Sequence, residues 1–157
     1  MSQMEALLKN LTDTIAFLQE ISVVEEEKFQ AATQNRILAM EDCIKKEQAL
    51  LLRSKGLEQK RQQLQEQFGA DTLRQIIDGA APEEKPALEA AFAELTASIK
   101  KYQEIHHRTK TIIEVNLHRI NKELERMTGS PLGGSQVGYT DHGGTVQSGK
   151  NLTNRRI

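Results

Sequence analysis

The amino-acid sequence predicts an all-α protein: an elongated antiparallel bundle of three long helices, a helical hairpin plus a long third helix, with a disordered C-terminal tail. Apolar residues recur at spacings of three and four over most of residues 1–128, which is the helical period. Aromatic residues make up only 4% of the 157 residues, fewer than a β-sandwich or barrel usually needs. Seven of the ten glycines lie in residues 129–157. We therefore predict a helical body at residues 1–128 and a flexible Gly-rich tail at residues 129–157.

The first two helices are predicted to form the hairpin. Ser2 and Glu5 have the spacing of a capping box, which marks a helix start. The first apolar stripe then comprises Met4, Leu8, Leu11, Ile15, Leu18, Ser22, Glu25 and Phe29. It ends near residues 31–35, where Thr33 and Asn35 can cap helices, although the lack of Gly or Pro there leaves one continuous helix as an alternative. The second stripe comprises Leu38, Ile44, Leu51, Leu57, Leu64 and Phe68, and Gly69 suits the position after a helix end.

A short helical turn over residues 71–77 is expected next, closed by Gly79. Pro82 and the acids after it are predicted to open the third helix, because Pro is tolerated at the first helical position. Pro86 then falls in or near the first turn, where its cost is small. The third stripe comprises Leu88, Phe92, Leu95, Ile99, Tyr102, His106, Thr109, Ile113, Asn116, Ile120 and Met127. With Gly129 as its end, this helix would be about 70 Å long.

Composition excludes several classes of function. The net charge of −1 gives no general attraction for nucleic acid. The single cysteine, Cys43, excludes an intramolecular disulfide and a multi-cysteine zinc site. No signal peptide is evident at the start of the sequence, and no apolar run approaches the length of a membrane span. We therefore expect a cytoplasmic protein that binds no nucleic acid and does not insert into membranes.

Little in the sequence indicates an enzyme. Glu104 and His107 match half of a di-iron carboxylate motif, which needs a second Glu three residues before a second His. The residue three before His118 is Val115, so a solvated helix face is favoured over a metal site. Cys43 is interpreted as a small packing residue. Since no Gly-rich phosphate loop and no acid–base pair stand out, we expect no catalytic residues, no cofactor and no metal.

Polar residues within the third stripe are more informative. His106, Thr109 and Asn116 occupy positions that should be apolar, and a polar group in a helical seam usually fixes register or partner choice. The alternative is that this stretch faces water until a partner arrives. The acidic triplet at residues 25–27 is interpreted as a solvated helix surface rather than a dock for a basic partner. Because three thinly striped helices leave apolar surface free, the residues alone indicate a helical binding module, with a helix in a groove as its natural partner.

Several segments, in order, resemble the FlgN family of flagellar export chaperones. Asn-Arg-Ile-Leu at residues 35–38, Lys-Glu at 46–47 and Leu-Glu-x-x-Arg at 57–61 resemble the family's second helix. Thr-Lys-Thr-Ile-Ile-Glu-Val-Asn-Leu-His-Arg-Ile at residues 109–120 resembles its late helix, although the family commonly has Asn at the position of Thr109. Tyr-Thr-Asp-His-Gly at residues 139–143 is similar to its C-terminal Tyr-x-x-x-Gly element.

The resemblance implies a cytoplasmic chaperone of the flagellar type III secretion system. Its clients would be the hook–filament junction proteins FlgK and FlgL, and its tail would contact the export gate component FlhA. For such a chaperone we expect the client to bind the second half of the third helix, at Thr109, Ile113, Asn116, Leu117, Ile120, Leu124 and Met127. Tyr139, the tail's one aromatic residue, is the expected gate-docking residue. Homodimerisation is left open, and a non-catalytic coiled-coil adapter that acts through self-association is the alternative.

Overall fold

The structure is a computed structural model that describes residues 2–129, and all regular structure in that range is helical. It contains four helices: α1 (Gln3–Thr33), α2 (Ile37–Phe68), α3 (Leu73–Asp78) and α4 (Lys85–Thr128). The all-α class predicted from the sequence is confirmed. The predicted tail lies, apart from Gly129, outside the described residues, so its flexibility and the domain boundary stay predictions.

Local chemistry explains where the helices begin and end. At the start of α1, Ser2 and Glu5 form the expected capping box. Between α1 and α2, Asn35 adopts a left-handed conformation with φ of 56°, which Asn tolerates better than most residues. Thr33 is not a cap, because its hydroxyl bonds back to the carbonyl of Phe29 at 2.8 Å. Gly69, as predicted, supplies the left-handed residue after α2, with φ of 66°. The chain therefore turns after Thr33, and the continuous-helix alternative is wrong.

The third long helix starts later than the sequence suggested. Pro82 precedes α4, which begins at Lys85, and Pro86 is the proline of its first turn. The backbone N–H groups of Glu84 and Lys85 both bond to the carbonyl of Ala81, so residues 81–84 form a turn before the helix. α4 is about 66 Å long at 1.5 Å per residue.

Ion pairs and hydrogen bonds define the helix directions. Lys28 pairs with Glu47 and Glu20 with Arg53, so α1 and α2 are antiparallel. On the other flank, Glu25 contacts His106 and the carbonyl of Ala32 accepts a hydrogen bond from Asn116. Residues later in α1 therefore contact residues later in α4, which means that α4 runs parallel to α1.

α1 is the central helix, because it packs along both α2 and α4. Its buried face is consequently broader than the predicted stripe and also includes Leu7, Phe17, Ile21, Val24, Lys28, Ala31 and Ala32. The second predicted stripe is wrong at its first position, since Leu38 is 77% exposed. The main core lies between the N-terminal half of α1, the C-terminal half of α2 and the N-terminal half of α4, and α3 closes one end of it. No helix within residues 2–129 has the length and hydrophobicity needed to span a membrane.

Candidate functional site

The last three turns of α4 extend beyond the helical hairpin. The Asn116 side chain donates a 2.8 Å hydrogen bond to the carbonyl of Ala32, next to the last residue of α1. α1 ends at Thr33 and α2 runs back from Ile37, while α4 continues for another 12 residues, about 18 Å. We call residues 117–128 the overhang.

The overhang carries an apolar seam that is open to solvent. Ile120 is 47% exposed and Met127 is 75% exposed, whereas Leu117 and Leu124 are half-buried. These four residues continue, at spacings of three and four, the seam through which the preceding part of α4 packs against α1. Exposed large apolar side chains in a contiguous group mark an interaction surface. Ile37 and Leu38, at the start of α2, are further exposed apolar residues at this end of the hairpin.

The structure divides the predicted client-binding residues into two groups. Thr109 and Ile113 are buried, and the Thr109 hydroxyl donates to the carbonyl of Ile105 at 2.9 Å. Together with Asn116 they belong to the contact between α4 and α1. The interpretation that this polar stretch faces water until a partner arrives is therefore wrong for Thr109, which is only 1% exposed. The remaining four predicted residues form the overhang seam, and Tyr139 lies outside the described residues.

A buried cluster of charged side chains connects the three long helices, and its α4 member lies on the N-terminal side of the overhang. Lys28 of α1 is 1% exposed, and its ammonium group lies 2.9 and 2.8 Å from the two carboxylate oxygens of Glu47 on α2. It also lies 3.4 Å from Oε2 of Glu25. The other oxygen of Glu25 lies 3.0 Å from Nδ1 of His106 on α4. The prediction that residues 25–27 form a solvated surface is therefore wrong for Glu25, which is fully buried.

The cluster shifts the pKa values of its two carboxyl groups in opposite directions. Burial and the neighbouring Glu25 carboxylate raise the pKa of Glu47 to about 8, because Lys28 only partly offsets them. The pKa of Glu25 falls to about 2, because hydrogen bonds from His106 and Glu47, together with the charge of Lys28, outweigh the effect of burial. The physical picture is a low-dielectric site in which one ammonium group faces two carboxyls, so one of them retains a proton at neutral pH.

Sequence reasoning found only part of this cluster. His106 attracted attention as a polar residue in an apolar stripe, and Glu25 occupied a stripe position. Lys28 and Glu47 were missed, because buried lysine and glutamate are uncommon and their pairing joins residues on two helices. Once the turn is located, the antiparallel pairing of α1 and α2 places Lys28 opposite Glu47. That placement is the signal that identifies the two residues.

The residues considered for chemistry do not form a reactive site. Glu104 and His107 are exposed and line an open surface depression together with the basic residues Lys101 and Arg108. Within residues 2–129 no group of three or more His, Cys, Asp or Glu side chains is placed to hold a metal ion. Cys43 is buried, and burial raises the pKa of its thiol, which disfavours the nucleophilic thiolate.

Comparison with protein families supports the sequence resemblance over nearly the whole chain. The family model described as FlgN protein matches residues 1–147. No curated protein and no solved structure gives a significant match. The match includes both the buried α1–α4 seam and the overhang. The chain therefore belongs to the FlgN family of flagellar export chaperones, a non-enzymatic family.

Proposed function

We propose that this protein is a cytoplasmic chaperone that binds the C-terminal helical segments of FlgK and FlgL on the overhang and delivers them to the flagellar type III export gate. The observation that carries the proposal is the open apolar seam of residues 117–128. An amphipathic helix binds such a seam through its own residues at spacings of three and four. Shielding those residues keeps an unassembled client soluble.

The surroundings of the seam favour a client helix that terminates next to the hairpin turn. The space beside the overhang lies in line with α1 and is blocked at one end by the turn at residues 34–36, which follows Thr33. A client helix lying in this space must therefore stop or bend at that turn. A segment at the C-terminus of a client meets this requirement, because its chain ends there.

In this proposal the seven predicted client-binding residues have two different roles. Thr109, Ile113 and Asn116 hold α4 in register on α1 and so fix the direction of the overhang. The client-contacting side chains are Leu117, Ile120, Leu124 and Met127.

Titration calorimetry with C-terminal FlgK and FlgL segments tests the proposed surface. Ile120→Asp places a charge in the centre of the seam and should weaken client binding about thirtyfold, as expected for loss of a contact worth about 2 kcal/mol. Leu52→Asp is the matched control, since Leu52 is 70% exposed on α2 and lies away from the overhang. Equal client affinity for both variants and the unmodified chain would contradict the proposal. A chaperone also predicts a 1:1 complex, whereas an adapter would retain its own oligomer in the complex.

Delivery to the gate is proposed to use Tyr139, on the basis of the family resemblance. One amphipathic ring in a Gly-rich segment can enter a pocket at low rotamer cost. Tyr139→Ala should leave the melting temperature and client binding unchanged while weakening binding to the cytoplasmic domain of FlhA about thirtyfold. His142→Ala, three residues away, is the control. Unchanged FlhA affinity for Tyr139→Ala would remove this assignment, and lost client binding would move the residue to the client surface.

A further inference from the structure

The solvent-facing side of the second half of α4 carries a concentrated positive charge. At about 100° per residue, six basic residues between positions 100 and 126 fall within an arc of about 100° on the helix surface. We call them the basic face, which is about 39 Å long. All six are exposed: Lys100, Lys101, Arg108, Arg119, Lys122 and Arg126. Glu104 is the one acidic residue in this arc, so the arc has a net charge of +5 when histidine is counted as neutral.

The positive charge is local to this side of α4. Residues 1–99 contain 17 acidic and 11 basic residues, so an anionic surface is repelled by most of the bundle and attracted by one side of one helix. Arg108 lies 3.3 Å from Glu26. Arg126 lies 2.6 Å from Glu123. Both pairs are exposed and therefore weak, so these two guanidinium groups can exchange their partners for an external anion.

The side chains of the arc favour a flat anionic surface over a nucleic acid or a protein. The arc contains no Phe, Tyr or Trp, whereas single-stranded nucleic acid is held by aromatic rings on which its bases stack. Val115, 46% exposed, is the one apolar residue of the arc, whereas protein interfaces depend on large buried anchors. Anionic lipid headgroups require neither feature, because each Lys or Arg near such a surface adds attraction by itself.

The basic face also points away from the rest of the molecule. Thr109 and Ile113, which pack against α1, and Ile120 and Leu124 of the overhang seam lie more than about 120° around the helix from its centre. A bilayer in contact with the basic face therefore touches neither the hairpin nor a helix bound on the seam.

We propose that the basic face binds the surface of a bilayer containing anionic phospholipid, with α4 lying along the headgroups and the overhang seam turned away from them. The contact is electrostatic and involves no insertion. It does not depend on the proposed function, but its consequence does: a client-loaded chain held on the membrane would reach an export gate in that membrane by diffusion in two dimensions.

Co-sedimentation of the full chain with vesicles, without client, tests the contact. We expect binding to phosphatidylcholine vesicles that contain about one third phosphatidylglycerol in about 0.05 M NaCl, and its loss in about 0.5 M NaCl, where salt screens the attraction. Vesicles of phosphatidylcholine alone should not bind the chain. Absence of binding at the lower salt concentration, or equal binding to both kinds of vesicle, would overturn the proposal.

Charge removal tests the position of the contact. Lys100→Gln combined with Lys101→Gln should weaken vesicle binding on the order of twentyfold, since each basic residue contributes about fivefold. Lys55→Gln combined with Lys60→Gln is the matched control, because both lysines are exposed on α2 and the charge change is the same. Circular dichroism checks that helicity is unchanged in both variants. An equal loss in the control would overturn the proposal, because binding would then depend on total charge.

A fluorescent label tests the orientation. In a Cys43→Ala background, an environment-sensitive fluorophore is attached to the thiol introduced by Val115→Cys, in the middle of the basic face, or by Leu52→Cys, which is 70% exposed on α2. Anionic vesicles should shift the emission of the first label to shorter wavelength and leave that of the second unchanged. Equal shifts, or a shift of the second label alone, would contradict the proposed orientation.

Two further measurements separate this proposal from other partners and from the proposed function. Binding to an oligouridylate that the Lys100→Gln and Lys101→Gln changes abolish, in a chain that does not bind vesicles, would overturn the lipid contact and assign the face to nucleic acid. Ile120→Asp, designed to weaken client binding, should bind vesicles as the unmodified chain does. An unmodified chain that binds vesicles but no client counts against the proposed function alone, and the reverse result counts against the lipid contact alone.

Discussion

At the scale of single residues, the main feature is the buried charge cluster of Glu25, Lys28, Glu47 and His106. Lys28 and Glu47 lie on neighbouring helices at about 2.8 Å, and Glu25 connects them to His106 on α4. Buried ion pairs seldom add much net stability over apolar residues, but removing one member leaves an uncompensated buried charge. We infer that the cluster sets the register of the three helices.

Replacing the ammonium group tests this cluster directly. Lys28→Met should lower the free energy of unfolding by about 3–5 kcal/mol, because two buried carboxyls lose their only ammonium partner in the cluster. Lys46→Met is the matched control, since Lys46 forms an exposed pair with Glu27 at 3.5 Å on the same hairpin and should change stability by less than about 0.5 kcal/mol. Urea denaturation of both variants measures the difference. Similar losses in the two variants would refute the special role of Lys28.

The raised pKa of Glu47 predicts a pH dependence of stability. The folded chain binds the Glu47 proton more tightly than the unfolded chain does, with a pKa of about 8. The stability from this group is therefore complete below the unfolded pKa, near pH 4.5, and is lost as pH rises through about 8. We expect the free energy of unfolding to fall on the order of 2 kcal/mol between pH 6 and 9. Glu47→Gln, which cannot ionise, should flatten this slope, and an equally steep slope in that variant would show that another group is responsible.

At the scale of elements, α4 consists of two segments with different surroundings. Up to Asn116 it is held on α1 by Tyr102, Ile105, Thr109 and Ile113, all of which are buried. Beyond Asn116 it extends past the end of α1 with an open apolar seam. One long helix thus serves both as a core helix and as an interaction surface, and the hydrogen bond from Asn116 to Ala32 marks the change.

Asn116 is expected to stabilise the junction of these two segments. Its side chain donates a hydrogen bond across to the carbonyl of Ala32, which also accepts one from the backbone N–H of Asn35 at 3.2 Å. Asn116→Ala should cost about 1 kcal/mol of unfolding free energy. The control is Asn121→Ala on the same helix, whose Oδ1 accepts no hydrogen bond within the described residues and whose loss should cost less. Thermal denaturation compares the two, and an equal or larger loss for Asn121→Ala would contradict this role.

At the scale of the whole molecule, α1 makes the structure cooperative. It packs against both α2 and α4, while α3 closes the core at one end through Leu73, Ile76 and Ile77. Neither outer helix can keep its apolar face buried if α1 unfolds. We therefore expect the four helices to unfold as one unit.

Cys43 provides a probe of this cooperativity, because it is the chain's one cysteine and is buried on α2. Its labelling by a thiol reagent and the loss of helicity should follow the same transition in urea, as a two-state reaction requires. The measurement compares thiol labelling with circular dichroism at matched urea concentrations. Labelling of Cys43 at urea concentrations that leave helicity intact would show that α2 detaches by itself.

The sequence by itself determined the helical class, the start of α1 and the end of α2. These depend on neighbours within a few residues: the Ser2–Glu5 capping box and Gly69 after α2. At the hairpin turn the sequence left one continuous helix as an alternative, and the left-handed Asn35 of the structure decided against it. The family resemblance likewise came from several short segments taken in order, including the one at residues 109–120, because each is a property of local sequence.

Only the tertiary structure decided which helix is central, which charges are buried and where the open seam begins. Lys28 and Glu47 are unremarkable on their own helices, and only the hairpin register brings them together. The overhang exists because Glu25 meets His106 and Ala32 meets Asn116, which places the end of α1 three turns before the end of α4. The offset between two packed helices is set by contacts over 80 residues apart in sequence, so the periodicity of either helix alone does not contain it.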